Sequence, residues 1–180
     1  MNHIEVGMNL YLRLIWTLLR AWWIPKLSIT EPFAREFRVW PNDIDVNFHM
    51  NNGRYLTVAD LMIVEFFART GFLKALIRNK WKPVLGGTII TFRRQLKLGQ
   101  KYRLRYCWTG GDAHWNYLSF QFTTLDGTLC AAGYSKGAAV SRDGLVTNDV
   151  SFQALGVAQP KVTLPDAVTA WKESEAKLMS

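Results

Sequence analysis

The 180-residue chain carries a formal net charge of +8, with 49% hydrophobic and 20% charged residues. That balance suits one domain with a real core and excludes wholesale disorder. The positive excess draws an anionic partner without naming it, since nucleic acid, anionic lipid and a phosphate-bearing cofactor attract it alike.

The first predicted element runs from Met8 to Ile24 and is rich in Leu, Trp and Ile. Arg13 and Arg20 interrupt it and no small-residue cleavage site follows, so it does not read as a cleavable signal. On a helical wheel Asn9, Arg13, Thr17 and Arg20 form one narrow polar stripe, and the rest, with Trp16, Trp22 and Trp23, is apolar. A spanning helix needs ~20 mostly apolar residues, and two arginines weigh against one here. Two readings stay open: a helix lying on a membrane through residues 8–24, or a helix packed on its own domain or a second subunit. Pro25 ends the segment.

Phe33 to Trp40 alternates as a first strand, and Pro41-Asn42 opens a turn. Next comes Asp43-Ile44-Asp45-Val46-Asn47-Phe48-His49-Met50-Asn51-Asn52, followed by Tyr55. Carboxylate, imidazole and carboxamide groups thus crowd into ten residues. They precede Tyr55 to Thr70, where Tyr55, Val58, Ala59, Met62 and Phe66 recur at helical spacing, with Gly71 as the C-terminal cap. Phe66 and Phe67 predict burial over most of that helix's circumference. Acid/base groups therefore sit at a helix N-terminus, where free N–H groups and the positive dipole end can hold an oxyanion. Breaking an acyl bond requires such parts.

Phe72 to Pro83 reads as a connector with a short amphipathic piece. Strands follow at Thr88–Leu96, Lys101–Trp108, Trp115–Thr123 and Leu129–Val140, with turns at Gly110-Gly111-Asp112, Asp126-Gly127 and Asp143-Gly144. In the second of these, Tyr102, Leu104, Tyr106 and Trp108 share one face and Lys101, Arg103 and Arg105 the other. A last helix spans Pro165 to Met179, with Thr163 and Asp166 spaced as a capping box. Strand, long helix and four antiparallel strands make an α+β domain in which the sheet wraps the helix. The expected division is an N-terminal amphipathic helix over 1–30, the domain over 31–145 and a helical extension over 146–180. Cys107 and Cys130 lie in strand-like runs and read as reduced packing residues, which fits a reducing, cytoplasmic setting.

The run Asp43-Ile44-Asp45-Val46-Asn47-Phe48-His49-Met50-Asn51-Asn52-Gly53-Arg54-Tyr55 resembles the signature of hotdog-fold acyl thioesterases. The similar branch includes plant acyl-carrier-protein thioesterases and membrane-anchored thioesterase-like proteins of animals. The resemblance covers roughly Phe33 to Val140. It implies a five-stranded antiparallel sheet around a long central helix, with the N-terminal and C-terminal helices as additions. It also implies a homodimer or higher oligomer with the site between subunits, and an acyl-CoA or acyl-carrier-protein substrate of fatty acid metabolism. Coenzyme A would then be part of the substrate, and no separate cofactor is expected. By the resemblance Asp45 is the catalytic carboxylate, with Asn47 and His49 as the other polar members of the site. The plant enzymes place a further carboxylate after the central helix, where Gln95 stands here.

On chemistry, Asp45 is suited to act as general base on water or to attack the carbonyl directly. The turn around Asn51 to Arg54 offers N–H groups for the oxyanion, so Asn51, Asn52 and Tyr55 are candidates for positioning substrate, Tyr55 equally for the core. Asp43 reads as structural, and His3 and His114 as solvent-facing. Arg93, Arg94, Lys97 and Lys136 are candidates for the phosphates of coenzyme A. No His/Cys cluster has metal-ligand spacing, so no metal is expected. Basic residues are spread along strands without a recognised motif, which excludes nucleic acid as the favoured partner. Two other readings remain: a non-catalytic acyl- or lipid-binding module at a membrane, and, lower, a hotdog hydratase, whose Asp-x-Asn-Pro-x-His pattern lacks its proline here.

Overall fold

The computed structural model describes residues 3–179, with side chains from Tyr11 onward except that of Trp22. The side chains of His3, Asn9 and Trp22 therefore lie outside the described residues. In chain order come α1 (His3–Trp23), β1 (Phe33–Arg38), a 3-10 turn (Pro41–Asp43), α2 (Asn52–Thr70), α3 (Phe72–Asn79) and β2 (Lys82–Phe92). Then follow β3 (Lys101–Gly111), β4 (Asn116–Thr124), β5 (Leu129–Ser141), β6 (Gly144–Leu145), α4 (Asn148–Leu155) and α5 (Asp166–Leu178). The five long strands are antiparallel in the order β1-β3-β4-β5-β2, and the two-residue β6 pairs with β5. This is the α+β hotdog arrangement that the resemblance implies.

Alternation in β3 sorts its residues as expected. Tyr102, Leu104, Tyr106 and Trp108 are buried, and Lys101, Arg103 and Arg105 face water. Opposite them lies the face of α2 formed by Tyr55, Val58, Ala59, Met62 and Phe66. Phe66 stacks on Phe33 at 6.4 Å, and Phe33 meets Tyr106 edge-on at 5.9 Å. Burying each such side chain stabilises the fold by roughly 1.5–3 kcal/mol. A second flank of α2, with Leu61 and Glu65, is also buried; α1 packs against α2, and Glu65 pairs with Arg20 of α1. The third flank, with Asp60, Ile63, Val64 and Phe67, lines a cavity instead. Phe67 is only half-buried, so α2 is covered on two sides and not round most of its circumference.

Three elements depart from the sequence reading. β2 starts six residues before the expected Thr88 and ends at Phe92 rather than Leu96. The expected connector runs to Pro83, but β2 is an edge strand, where proline is tolerated. A bulge between Leu85 and Gly87 absorbs the extra residue, and a Cβ at Gly86 would collide with the Trp115 ring. α4 was not anticipated, although Thr147 caps it and Gly156 closes it in the left-handed region. The expected capping box at α5 does not form: its N-cap is Pro165, with no side-chain bond. His114 is half-buried rather than solvent-facing, and Cys107 is half-buried while Cys130 is fully buried.

β5 needs a glycine at its centre. A Cβ on Gly133 would run into the Ile89 carbonyl oxygen and the Phe120 ring. Gly133→Ala is expected to cost about 3 kcal/mol, read as a fall in the urea midpoint with the m-value unchanged.

α5 is held to the sheet by charge. Lys172 Nζ donates to Asp112 Oδ2 at 2.7 Å, and the Tyr117 hydroxyl donates to the same oxygen at 3.0 Å. The Trp115 and His114 N–H groups donate to Asp112 Oδ1. Burial alone would raise this carboxyl, but the four donors outweigh it and bring it down to about 2. A carboxyl depressed by folding contributes stability that is complete above its unfolded value of ~4 and is lost as pH falls through the folded one. Asp112→Asn should therefore cost about 2 kcal/mol at neutral pH, and the gap from the unmodified chain should close between pH ~4 and ~2. Melting followed by tryptophan emission, to which Trp171 on α5 contributes, reads this directly.

Candidate active site at the entrance to the central helix

The segment 43–51 folds back on itself as a tight hairpin. The Asn51 N–H donates to the Asp43 carbonyl at 2.8 Å and the Asp45 N–H to the His49 carbonyl at 3.0 Å, with Ile44 bridged to Met50. Its return arm is tied to the segment between β2 and β3: the Met50 N–H donates to the Leu96 carbonyl at 2.8 Å, and His49 bridges Lys97. The tip is Val46-Asn47-Phe48, exposed, with Phe48 at φ +60°. A non-glycine residue there is uncommon and costs free energy; the Phe48 N–H closes the turn by donating to the Asp45 carbonyl at 3.1 Å. The hairpin runs straight into α2.

This backbone places the Asp45 and His49 side chains opposite each other, with His49 Nδ1 3.5 Å from Asp45 Oδ1. Their side chains are 19% and 28% exposed, which leaves both reachable from solvent. The Asn47 N–H donates to Asp45 Oδ1 at 2.9 Å, an Asx turn that steadies the carboxylate. The Asn47 side chain is exposed at the tip. Asp45, Asn47 and His49 thus share one short hairpin.

The helix entrance is more occupied than the sequence suggests. Asn51 is the N-cap, and its Oδ1 accepts the Gly53 N–H at 2.8 Å. The Arg54 N–H donates to the Asn51 carbonyl at 2.9 Å. Those two donors are taken, and the Asn52 N–H is the one that no acceptor holds among the described residues. Asn52 itself is exposed.

Tyr55 is a core residue. It is 2% exposed, with Phe122 at 4.9 Å and Phe92 at 5.1 Å around its ring. Burial pushes its hydroxyl up to about 12, partly countered by a hydrogen bond with the backbone of Leu96. It packs the helix entrance from inside.

Asp43 is fully buried and structural, as expected. Arg13 of α1 donates to both its oxygens, at 2.7 and 3.3 Å. Arg54 of α2 donates to Oδ1 through Nη2 and Nε, at 3.1 and 3.2 Å, and the Trp40 N–H donates to Oδ2 at 2.9 Å. One carboxylate therefore ties together α1, the turn after β1 and the first turn of α2, two residues from Asp45.

The basic candidates divide. Arg93, Arg94 and Lys97 are exposed just beyond β2, where the Arg93 and Arg94 N–H groups bond the Cys130 carbonyl. Gln95 is exposed beside them. Lys136 is not available for a phosphate. It is 7% exposed, paired with Glu175 of α5, and lies 4.7 Å from the Trp115 ring and 5.8 Å from the Trp171 ring. Periodicity along β5 could not show that a distant helix covers that strand.

A cavity of about 650 Å³ opens beside α2, between α3 and β2. Its walls are mostly apolar, with Ile63, Phe67, Leu76, Trp81 and Val84, and Asp60 and Ser135 among its polar members. Asp45, Asn47 and His49 do not line it. Asp60 escaped the sequence reading because it falls at a polar position of an amphipathic pattern. Desolvation raises its carboxyl above the ordinary range, and it stands eight residues, about 12 Å, along α2 from Asn52. Among the described residues no group of acidic, His or Cys side chains could hold a metal ion.

A family model described as the thioesterase-like superfamily matches residues 39–171. Protein THEM6 of Xenopus laevis is 30% identical over 131 residues, covering 71% of this chain and 59% of that protein. Thioesterase lcsJ of Purpureocillium lilacinum is 29% identical over 117 residues, covering 54% and 38%. The chain spans about 60% of the length of the THEM6 relatives from Xenopus laevis and Danio rerio. Among solved structures, SAV2348 from Staphylococcus aureus in complex with CoA superposes with a TM-score of 0.62 at 19% identity, covering 79% of this chain and 95% of that one. Slr0204, a 1,4-dihydroxy-2-naphthoyl-CoA thioesterase from Synechocystis, does so with 0.61 at 12% identity, covering 69% and 95%. At these identities the structural likeness speaks for the fold.

Proposed function

The chain belongs to the thioesterase-like superfamily, and on that premise we propose that it hydrolyses acyl thioesters with Asp45 as the reacting carboxylate. The observation that carries this reading is the Asp45–His49 pair, 3.5 Å apart and open to solvent, on a hairpin that leads into the N-terminus of α2. Asp45 takes a proton from water or attacks the carbonyl itself. Charge developing on the carbonyl oxygen is met by the free Asn52 N–H and the positive end of the α2 dipole. The thiolate leaves readily, so stabilising the oxyanion matters more than protonating the leaving group. His49 orients the water or shares the proton, and the Asn47 N–H keeps the carboxylate aimed.

The acyl chain finds its apolar surroundings in the cavity beside α2. The exposed Arg93, Arg94 and Lys97 offer charge to the phosphates of a coenzyme A or acyl-carrier-protein thioester. Coenzyme A derivatives are favoured because SAV2348 is described in complex with CoA and another similar structure is described as a gentisyl-coenzyme A thioesterase. Homodimerisation fits the exposed edge of β2, an eleven-residue strand paired on one side only and bordering the cavity.

A second reading, an acyl-binding module without turnover, draws on the same loop: Asp45 already serves as the acceptor of an Asx turn. Thiol release from a panel of acyl-CoAs of increasing length decides between them. Release above the uncatalysed rate that depends on Asp45 supports the hydrolase. Saturable binding without release supports the module.

A further inference from the structure

We propose that the outward face of α1 is a docking surface for an anionic lipid bilayer, on which the domain rests with the helix in the plane of the membrane. The proposal does not depend on the hydrolase reading.

α1 is amphipathic in the reverse sense for a helix on a globular domain. Its polar stripe faces the protein. Arg13 grips the buried Asp43, and Arg20 reaches Glu65 at 3.3 Å. Thr17 is fully buried, donating to the Arg13 carbonyl and accepting from Arg35 at 2.7 Å. Ala21 lies buried along the same stripe. Arg35 and Arg69 complete the cluster on Glu65. Every described polar group of the stripe is thus spent inside the fold.

Apolar groups are left in water. Tyr11, Leu12, Ile15, Trp16, Leu19 and Trp23 are exposed, Trp16 at 60% and Trp23 at 87%. No charged side chain interrupts them between residues 11 and 23 apart from Arg13 and Arg20, which turn inward. A continuous apolar face of this kind marks an interaction site.

Three observations select lipid as the occupant. Trp16, Trp23 and Tyr11 have amphipathic rings that suit the headgroup level of a bilayer. The charge is complementary: the chain is at +8, and the exposed Lys26 follows the helix directly. No described helix is long and apolar enough to cross a membrane, and a helix with its polar stripe turned inward and one apolar face turned outward suits the plane of a bilayer.

Flotation of the full chain with phosphatidylcholine vesicles, with and without about one third phosphatidylserine, tests the proposal. The unmodified chain is expected to float with the anionic vesicles, with a blue shift of tryptophan emission. The double variant Trp16→Glu/Leu19→Glu should lose binding by about tenfold or more. Its melting temperature should be unchanged, because both side chains point away from the domain. Failure of the unmodified chain to float with either vesicle overturns the proposal. So does equal binding by the double variant. A smaller oligomer in the variant, seen by light scattering, together with indifference of the unmodified chain to vesicles, would assign the face to a second copy instead.

Discussion

Asp45→Asn is expected to lower kcat for acyl-CoA hydrolysis by about a thousandfold while leaving KM and stability close to those of the unmodified chain. Asn keeps the shape of the side chain, and its Oδ1 still accepts the Asn47 N–H, so the hairpin and its Asx turn survive. What disappears is the negative charge and the ability to accept a proton or attack a carbonyl. General acid–base catalysis contributes ~10²–10⁴ in rate, and the expected loss falls inside that range. Stability should shift by no more than ~0.5 kcal/mol, since the side chain is partly exposed and stays hydrogen-bonded. Steady-state thiol release together with a urea titration checks both parts. Full activity in the variant would remove Asp45 from the chemistry. Loss of activity with loss of fold would move it to the scaffold.

Asp43→Ala is expected to destabilise the domain by about 3–5 kcal/mol, a large share of the ~5–15 kcal/mol that holds a typical domain together. The substitution removes the common acceptor of Arg13, Arg54 and the Trp40 N–H. Two guanidinium groups, each with less than a fifth of its side chain exposed, would then face each other without a counter-charge. Breaking a buried pair from one side costs far more than the pair contributes net, because the remaining charge stays desolvated. The effect should reach α1 and the hairpin together, since Asp43 joins them. Urea denaturation measures the cost. Protease sensitivity after Arg20 and around Asn47 should rise in parallel. A loss below ~1 kcal/mol would mean that Arg13 and Arg54 find other partners at little cost.

Much of the fold was legible because its elements obey simple periods. β3 alternates cleanly, and that alternation by itself puts Tyr102, Leu104, Tyr106 and Trp108 on the inner face. α2 carries Tyr55, Val58, Ala59, Met62 and Phe66 at helical spacing and ends at Gly71, which adopts φ +87°. The motif from Asp43 to Tyr55 placed the candidate site at the entrance to that helix. The start of β2 differs from the expected one because Pro83 reads as a breaker in isolation and is acceptable on an edge strand. Lys136 was misjudged because a strand pattern cannot tell which face a distant helix will cover, and α5 closes over it from some forty residues away.

Composition and local pattern alone determined the α+β class, the antiparallel strands, the central helix and the placement of Asp45, Asn47 and His49 on one short segment. These depend on neighbours a few residues apart, whose spacing sets which face each side chain takes. Only the tertiary structure decided that the polar stripe of α1 turns inward onto Asp43 and Glu65, that Tyr55 belongs to the core, and that Lys136 is locked beneath α5. Each of those outcomes rests on contacts between groups some thirty or more residues apart. There, the cost of burying a charge without a partner selects one packing over another.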